Sequence, residues 1–197
     1  MADKTHNNLT AMDDYINRVY KLVLLLIPGA CECAGLCYTF AKVINWIPEV
    51  SWTALIIFDI TCLIYLGIGI LLIKTSKRDG VVKPGSLLAG KIFLIALMLI
   101  QFNFIVYMIP ATDFWGFAFF FVILTAFFLD WKIVAISAVE VGGSIVVAWF
   151  IRGDIHLPAR DEHFAINMTD RVVCLALSLV SIVLFTLFIS KFLVNAK

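Results

Sequence analysis

"FWGFAFFFVILTAFFLDWKIVAISAVEVGGSIVVAWFI", Phe114 to Ile151, is the stretch on which the architecture turns. Apart from Glu140, its only charges are Asp130 and Lys132, set on either side of Trp131. As one helix rising 1.5 Å per residue it would be roughly 57 Å long, nearly twice the ~30 Å of a bilayer's hydrocarbon core. Asp130 and Lys132 therefore mark a tight turn. The stretch reads as two short spans, about 114–129 and 133–151.

The rest of the chain repeats the pattern. Of 197 residues 62% are hydrophobic, against about 45–50% in soluble domains, and mean hydropathy is +1.02. Charges collect in short gaps between apolar runs of about 16 to 25 residues. Further spans fall at about 20–43, 52–73, 87–109 and 171–192. The expected fold is all-α: a polytopic membrane protein with a bundle of six transmembrane helices. An alternative count of five merges or leaves out the fourth span. Helices are required because backbone N–H and C=O groups in lipid must be satisfied within the segment.

Residues 1–19 contain no early apolar core followed by a small-residue cleavage site, so no cleavable signal is read there. Thr10 and Asp13 resemble a capping pair, and Leu9, Met12, Ile16 and Val19 share a face. The segment reads as an amphipathic helix, either lying on the inner leaflet or continuous with the first span. Residues 193–197 are expected to be a cytoplasmic stub leading toward an output domain.

Lysine and arginine set the orientation. Lys4, Arg18, Lys21, Lys74, Lys77, Arg78, Lys83, Lys132, Lys191 and Lys197 gather on one side, and Lys91 reaches toward it from the third span. Trp46, Trp52, Trp115 and Trp149 cluster toward the other side, where Glu49, Asp113, Asp154, Asp161, Glu162 and Asp170 also lie. Both termini are therefore expected in the cytoplasm of a multi-pass plasma-membrane protein. The 15 basic and 14 acidic residues nearly cancel, which gives no reason to expect a nucleic-acid partner.

Intramembrane carboxylates are the most informative side chains, because each is costly to place in lipid. Glu32 lies near the middle of the first span, Asp59 about two turns into the second, and Glu140 about two turns into the fifth; Gln101 and Asn103 add polarity to the third. One reading is a ligand pocket or ion path, with Asp59, Gln101 and Asn103 bounding a pocket that opens outward. The other is hydrogen bonding between helices, with a carboxylate protonated.

The five cysteines, Cys31, Cys33, Cys37, Cys62 and Cys174, all fall inside expected spans and read as buried small hydrophobes. Within "PGACECAGLC" (28–37), Cys33 and Cys37 share a helix face. The three histidines lie outside the bilayer core, so no tetrahedral zinc set forms and no metal or cofactor is expected. His156 and His163 share the outer loop with Asp154, Asp161 and Glu162, a cluster able to bind a cation or sense external pH, but the favoured reading is a solvated loop. Pro28 and Gly29 suggest a bend, and Gly35, Gly67, Gly69 and Gly142–Ser144 suggest close helix approach. No phosphate-cradling glycine loop, HExxH or GxSxG is present, and no enzymatic activity is expected.

Four stretches carry a resemblance: "NRVYKLVLLLI" (17–27) entering the first span, "IIFDIT" (56–61), "VILTAFFLDWKIVAISAV" (122–139) and "ISKFLVNAK" (189–197) leaving the membrane. Together they resemble the six-span N-terminal sensory module of bacterial, clostridial-type methyl-accepting chemotaxis proteins and diguanylate cyclases. The resemblance implies a signal-transducing input module that passes a ligand or membrane signal to a cytoplasmic output domain beyond Lys197. It assigns no ligand residues. The expected partners are the lipid bilayer, a small-molecule ligand and a second copy in a homodimer. The competing expectation is a small-molecule transporter, or the substrate-binding subunit of an uptake system.

Overall fold

Residues 11–78, 81–109 and 114–195 are described by a computed structural model. They form helices α1 (Ala11–Val43), α2 (Trp52–Thr75), α3 (Pro84–Met108), α4 (Phe117–Ala126), α5 (Trp131–Ile151), α6 (Gly153–His156) and α7 (Phe164–Asn195). Between α2 and α3 two short strands, β1 (Lys77–Arg78) and β2 (Val81–Val82), pair antiparallel. Five of the helices, α1, α2, α3, α5 and α7, are long and apolar enough to cross a membrane. Leu9 and Thr10, the first member of the capping pair, lie outside the described residues; from Ala11 onward, with Asp13 in its first turn, the amphipathic segment continues without a break into α1.

Local chemistry explains where the helices start and stop. Asp130 caps α5, its carboxylate accepting the Lys132 N–H at 3.1 Å. Pro84 opens α3, where its missing N–H is one that the first turn leaves unused anyway. Past the end of α1, Asn45 takes φ 60°. Its N–H donates to Lys42 O at 3.0 Å, and that of Trp46 donates to Ala41 O at 2.8 Å. Asparagine tolerates this left-handed position, and the two bonds use carbonyls that the helix end would leave unpaired.

Pro28 sits inside α1 and has no N–H to give the Leu24 carbonyl one turn earlier. Gly69 of α2 packs directly on that carbonyl; a Cβ at Gly69 would stand 2.6 Å from the oxygen. With Gly35 facing Phe58 and Asp59, this contact fixes α1 and α2 as an antiparallel pair. Lipid offers helices no hydrophobic drive to associate, so close backbone approach at small residues is what holds them together.

α3 and α5 run parallel to each other. Lys91 pairs with Asp130 near one end, Asn103 with Ser144 in the middle, and Arg152 Nη1 with the Tyr107 carbonyl at the other. The chain between Met108 and Asp130 must therefore return along most of the bundle. It does so through a 3₁₀ turn at Phe114–Gly116 followed by the ten-residue α4. Ten α-helical residues and three 3₁₀ residues span roughly 21 Å, short of a full bilayer core.

The expected sixth span at 171–192 is the middle of a longer helix. α7 begins at Phe164, within what reads from sequence as a nineteen-residue loop (152–170). The same loop contains α6. α7 packs against α4 and α5 and is the least enclosed of the long helices.

Candidate functional site

Glu32 of α1 and Asp59 of α2 come within electrostatic reach of each other across the α1–α2 pair. Gly35 has no side chain, and the Asp59 carboxylate and the Phe58 ring occupy the space a Cβ would need. Asp59 Oδ2 accepts a hydrogen bond from Thr39 Oγ1 at 2.9 Å. Asp59 Oδ1 and Glu32 Oε2 are shielded and have no hydrogen-bond partner among the described residues. The two carboxyls interact electrostatically, and Cys62 lies in the same field with Cys31 beside it. Antiparallel pairing thus gathers an acidic, sulfur-lined spot from two helices.

The other expected site residues do not join it. Gln101 is fully buried, and neither its amide oxygen nor its nitrogen has a partner among the described residues. Asn103 donates to Leu99 O at 2.7 Å and to Ser144 Oγ at 3.0 Å. It also lines a shallow groove with Ala54, Ile100, Phe104, Tyr107 and Met108. Asp59 and Gln101 do not line that groove, so the outward pocket expected from the three residues is not assembled. At about 100° per residue, Gln101 points well away from Asn103 around α3, and Asp59 is turned to α1 by Gly35 and Thr39. Glu140 is on α5, partly enclosed, with no hydrogen-bond partner for either carboxylate oxygen among the described residues.

An apolar groove that sequence reading missed opens between α1, α3 and α4. Ala30, Cys31 and Ala34 form one wall, Ile105 the floor, and Gly116, Phe117, Phe120 and Phe121 the other wall, around about 400 Å³. The available signal was the alanine pair four residues apart, a small-residue face opposite a phenylalanine-rich helix. A second groove, of about 620 Å³, separates the far end of α4 from α7; Ile123, Ala126 and Phe127 face Ser181, Ile182 and Phe185 across it. Tyr15 reaches in from α1 and donates to the Phe127 carbonyl at 2.8 Å.

Two local expectations are corrected. Cys31 and Cys62 are buried, but Cys33, Cys37 and Cys174 are exposed on outward helix faces. α1 buries only one stripe, and Cys33 and Cys37 lie about 200° and 240° around the helix from Cys31. His156 is fully buried rather than solvated, its ring centroid 4.4 Å from that of Phe114. Among the described residues no three His, Cys, Asp or Glu side chains converge as a metal-binding group.

Comparison with protein-family models, with curated proteins and with solved structures returned no match.

Proposed function

We propose that this chain is a membrane-embedded sensory input module, in which an apolar ligand or the state of the surrounding lipid biases helix packing and α7 carries the change onward. The position of α4 is the observation that carries this reading. One end of this short helix walls the apolar groove with Phe117, Phe120 and Phe121, and its other end faces α7 across the second groove. Occupying the first groove displaces α4, and α7, loosely held, follows. A two-state device requires a stimulus that contacts the two states differently, and a groove walled by a short, movable helix supplies that difference.

In this reading α4 with its 3₁₀ turn is a sixth crossing, shortened because the membrane thins or its ends are covered by α3 and α5. Both termini are cytoplasmic. Lys21, Lys74, Lys83, Lys91 and Lys132 at the Asp130 end, against the tryptophans Trp46 and Trp52 at the other, support this sidedness. The resemblance to the sensory modules of chemotaxis proteins and diguanylate cyclases points the same way. The Glu32–Asp59 pair favours a second reading, a carrier whose carboxylates hold a proton or cation in transit.

Double electron–electron resonance on the full chain in lipid nanodiscs tests the first reading. Spin labels at residues 123 and 185 would report the α4–α7 separation, and Ala34→Trp would fill the groove. A shifted distance distribution in the filled variant is expected. An unchanged distribution, together with solute uptake into proteoliposomes that Asp59→Asn or Glu32→Gln abolishes, would replace sensing with transport.

A further inference from the structure

On the outer face of α1, near the Asp130 end of the bundle, Arg18, Lys21, Leu22, Leu25 and Leu26 line an open groove of about 560 Å³. We infer that this groove is a binding site for one anionic phospholipid, its phosphate held by Arg18 and Lys21 and an acyl chain laid along the leucines.

The order of chemistry along the helix carries the inference. Positions 18, 21, 22, 25 and 26 fall on one face at helical spacing. Arg18 and Leu25 are separated by roughly 10 Å along the axis, about the drop from a headgroup phosphate to the upper acyl chain. The leucines are 50%, 42% and 41% exposed, so an apolar surface stands uncovered immediately beside two cations. A zwitterionic lipid brings its phosphate with a choline cation that Arg18 and Lys21 repel; an anionic one brings the phosphate with no opposing charge.

The nearby charges reinforce the preference. The contact between Leu24 and Gly69 puts Lys74, five residues further along α2, at the level of Val19, so a third exposed cation stands at the same depth in the membrane. Asp14 opposes it, pairing with Arg18 Nη2 at 2.9 Å. That pair is one helical turn apart, with the two side chains 80% and 51% exposed, and contributes little in water. Arg18 keeps further donors, since a guanidinium carries five N–H groups. Each cation near an anionic surface strengthens binding about fivefold.

The test is native mass spectrometry of the full chain released from nanodiscs of phosphatidylglycerol mixed with phosphatidylcholine. Preferential retention of one phosphatidylglycerol is expected, falling about fivefold in Arg18→Gln and further in Arg18→Gln/Lys21→Gln. Asp14→Asn should raise retention, and Lys132→Gln, exposed on α5 and outside the groove, should leave it unchanged. Leu22→Ala/Leu25→Ala should weaken it with both cations intact. Equal retention of the two lipids, or an undiminished preference in Arg18→Gln/Lys21→Gln, overturns the inference. So does full competition by soluble glycerol 3-phosphate, because the leucines would then have no part.

Discussion

Lys91 Nζ lies 2.7 Å from Asp130 Oδ2, joining residues 39 positions apart and tying α3 to the turn between α4 and α5. The lysine side chain is only 13% exposed and the aspartate's 31%, so neither is fully compensated by water if the other is removed. Asp130 works twice, because its second oxygen caps α5. Asp130→Asn is expected to cost about 1–2 kcal/mol, the lower part of the range for hydrogen bonds to charged groups given its partial exposure. Asp130→Ala should cost about 1 kcal/mol more through loss of the cap. Thermal unfolding in one detergent checks both; equal losses would remove the cap from the account.

The same pair sets a pH dependence. Burial pushes the Asp130 carboxyl upward, but the Lys91 hydrogen bond and charge and the Lys132 and Ile133 amides outweigh it and hold the group below its ordinary value. A carboxyl depressed in the folded state contributes fully above its unfolded value of about 3.9 and loses that contribution as pH falls through the folded value. Melting temperature should therefore fall more steeply in the wild type than in Asp130→Asn once pH drops below about 4. Parallel curves for the two proteins would refute the assignment.

Gly35 and Gly67 make opposite predictions from the same residue type. A Cβ at Gly35 meets the Asp59 carboxylate and the Phe58 ring, whereas nothing lies within 4 Å of one at Gly67. Gly35→Ala should cost about 1–3 kcal/mol by forcing the α1–α2 seam apart. Gly67→Ala should be neutral or stabilise by up to about 1 kcal/mol, since alanine restricts the unfolded chain and favours helix. Similar melting shifts at both positions would mean that close packing is not why glycine occupies position 35.

The difference between those two glycines was not legible in sequence, and it shows where such reading stops. Run length and charge breaks reveal the long helices and the turn at Asp130, because the cost of exposing backbone or charge to lipid is paid locally. Glu32 and Asp59 stand out for the same reason. Their approach depends on the register between α1 and α2, which Gly35, Gly69 and the carbonyl freed by Pro28 decide jointly. Likewise the start of α7 at Phe164 follows a polar segment whose composition reads as loop, yet its first turns are helical. The apolar groove depends on what alanines on α1 leave open to α4, a property of two helices rather than of either.

Gln101 tests whether a buried polar side chain is engaged or idle. It is fully enclosed on α3, without a hydrogen-bond partner among the described residues. A buried amide in that state costs about 1–3 kcal/mol, and methionine has nearly its shape without its polarity. Gln101→Met is therefore expected to raise the unfolding free energy by about 1–2 kcal/mol. A lowered melting temperature would show the amide to be engaged, and a search for the molecule it holds would begin there.

His156 closes the end of the bundle opposite Asp130. Its ring packs on Phe114, which is in turn 6.2 Å from Phe102 of α3, and its carbonyl accepts from Arg171 Nη1 of α7 at 3.2 Å. One residue of α6 thus clamps the 3₁₀ turn before α4 to the side of α7. His156→Ala removes a fully buried ring, and by analogy with other large-to-small changes should cost about 2–4 kcal/mol locally. His156→Phe keeps the ring and the backbone carbonyl and should cost less. Trypsin provides the readout, because Arg160 lies four residues on and is exposed. If loop opening pre-equilibrates with cleavage, a loss of about 1.4 kcal/mol speeds cutting after Arg160 about tenfold. The expected order of cleavage rate is His156→Ala, then His156→Phe, then wild type. Identical rates in all three would mean that the His156 clamp does not govern opening of the loop.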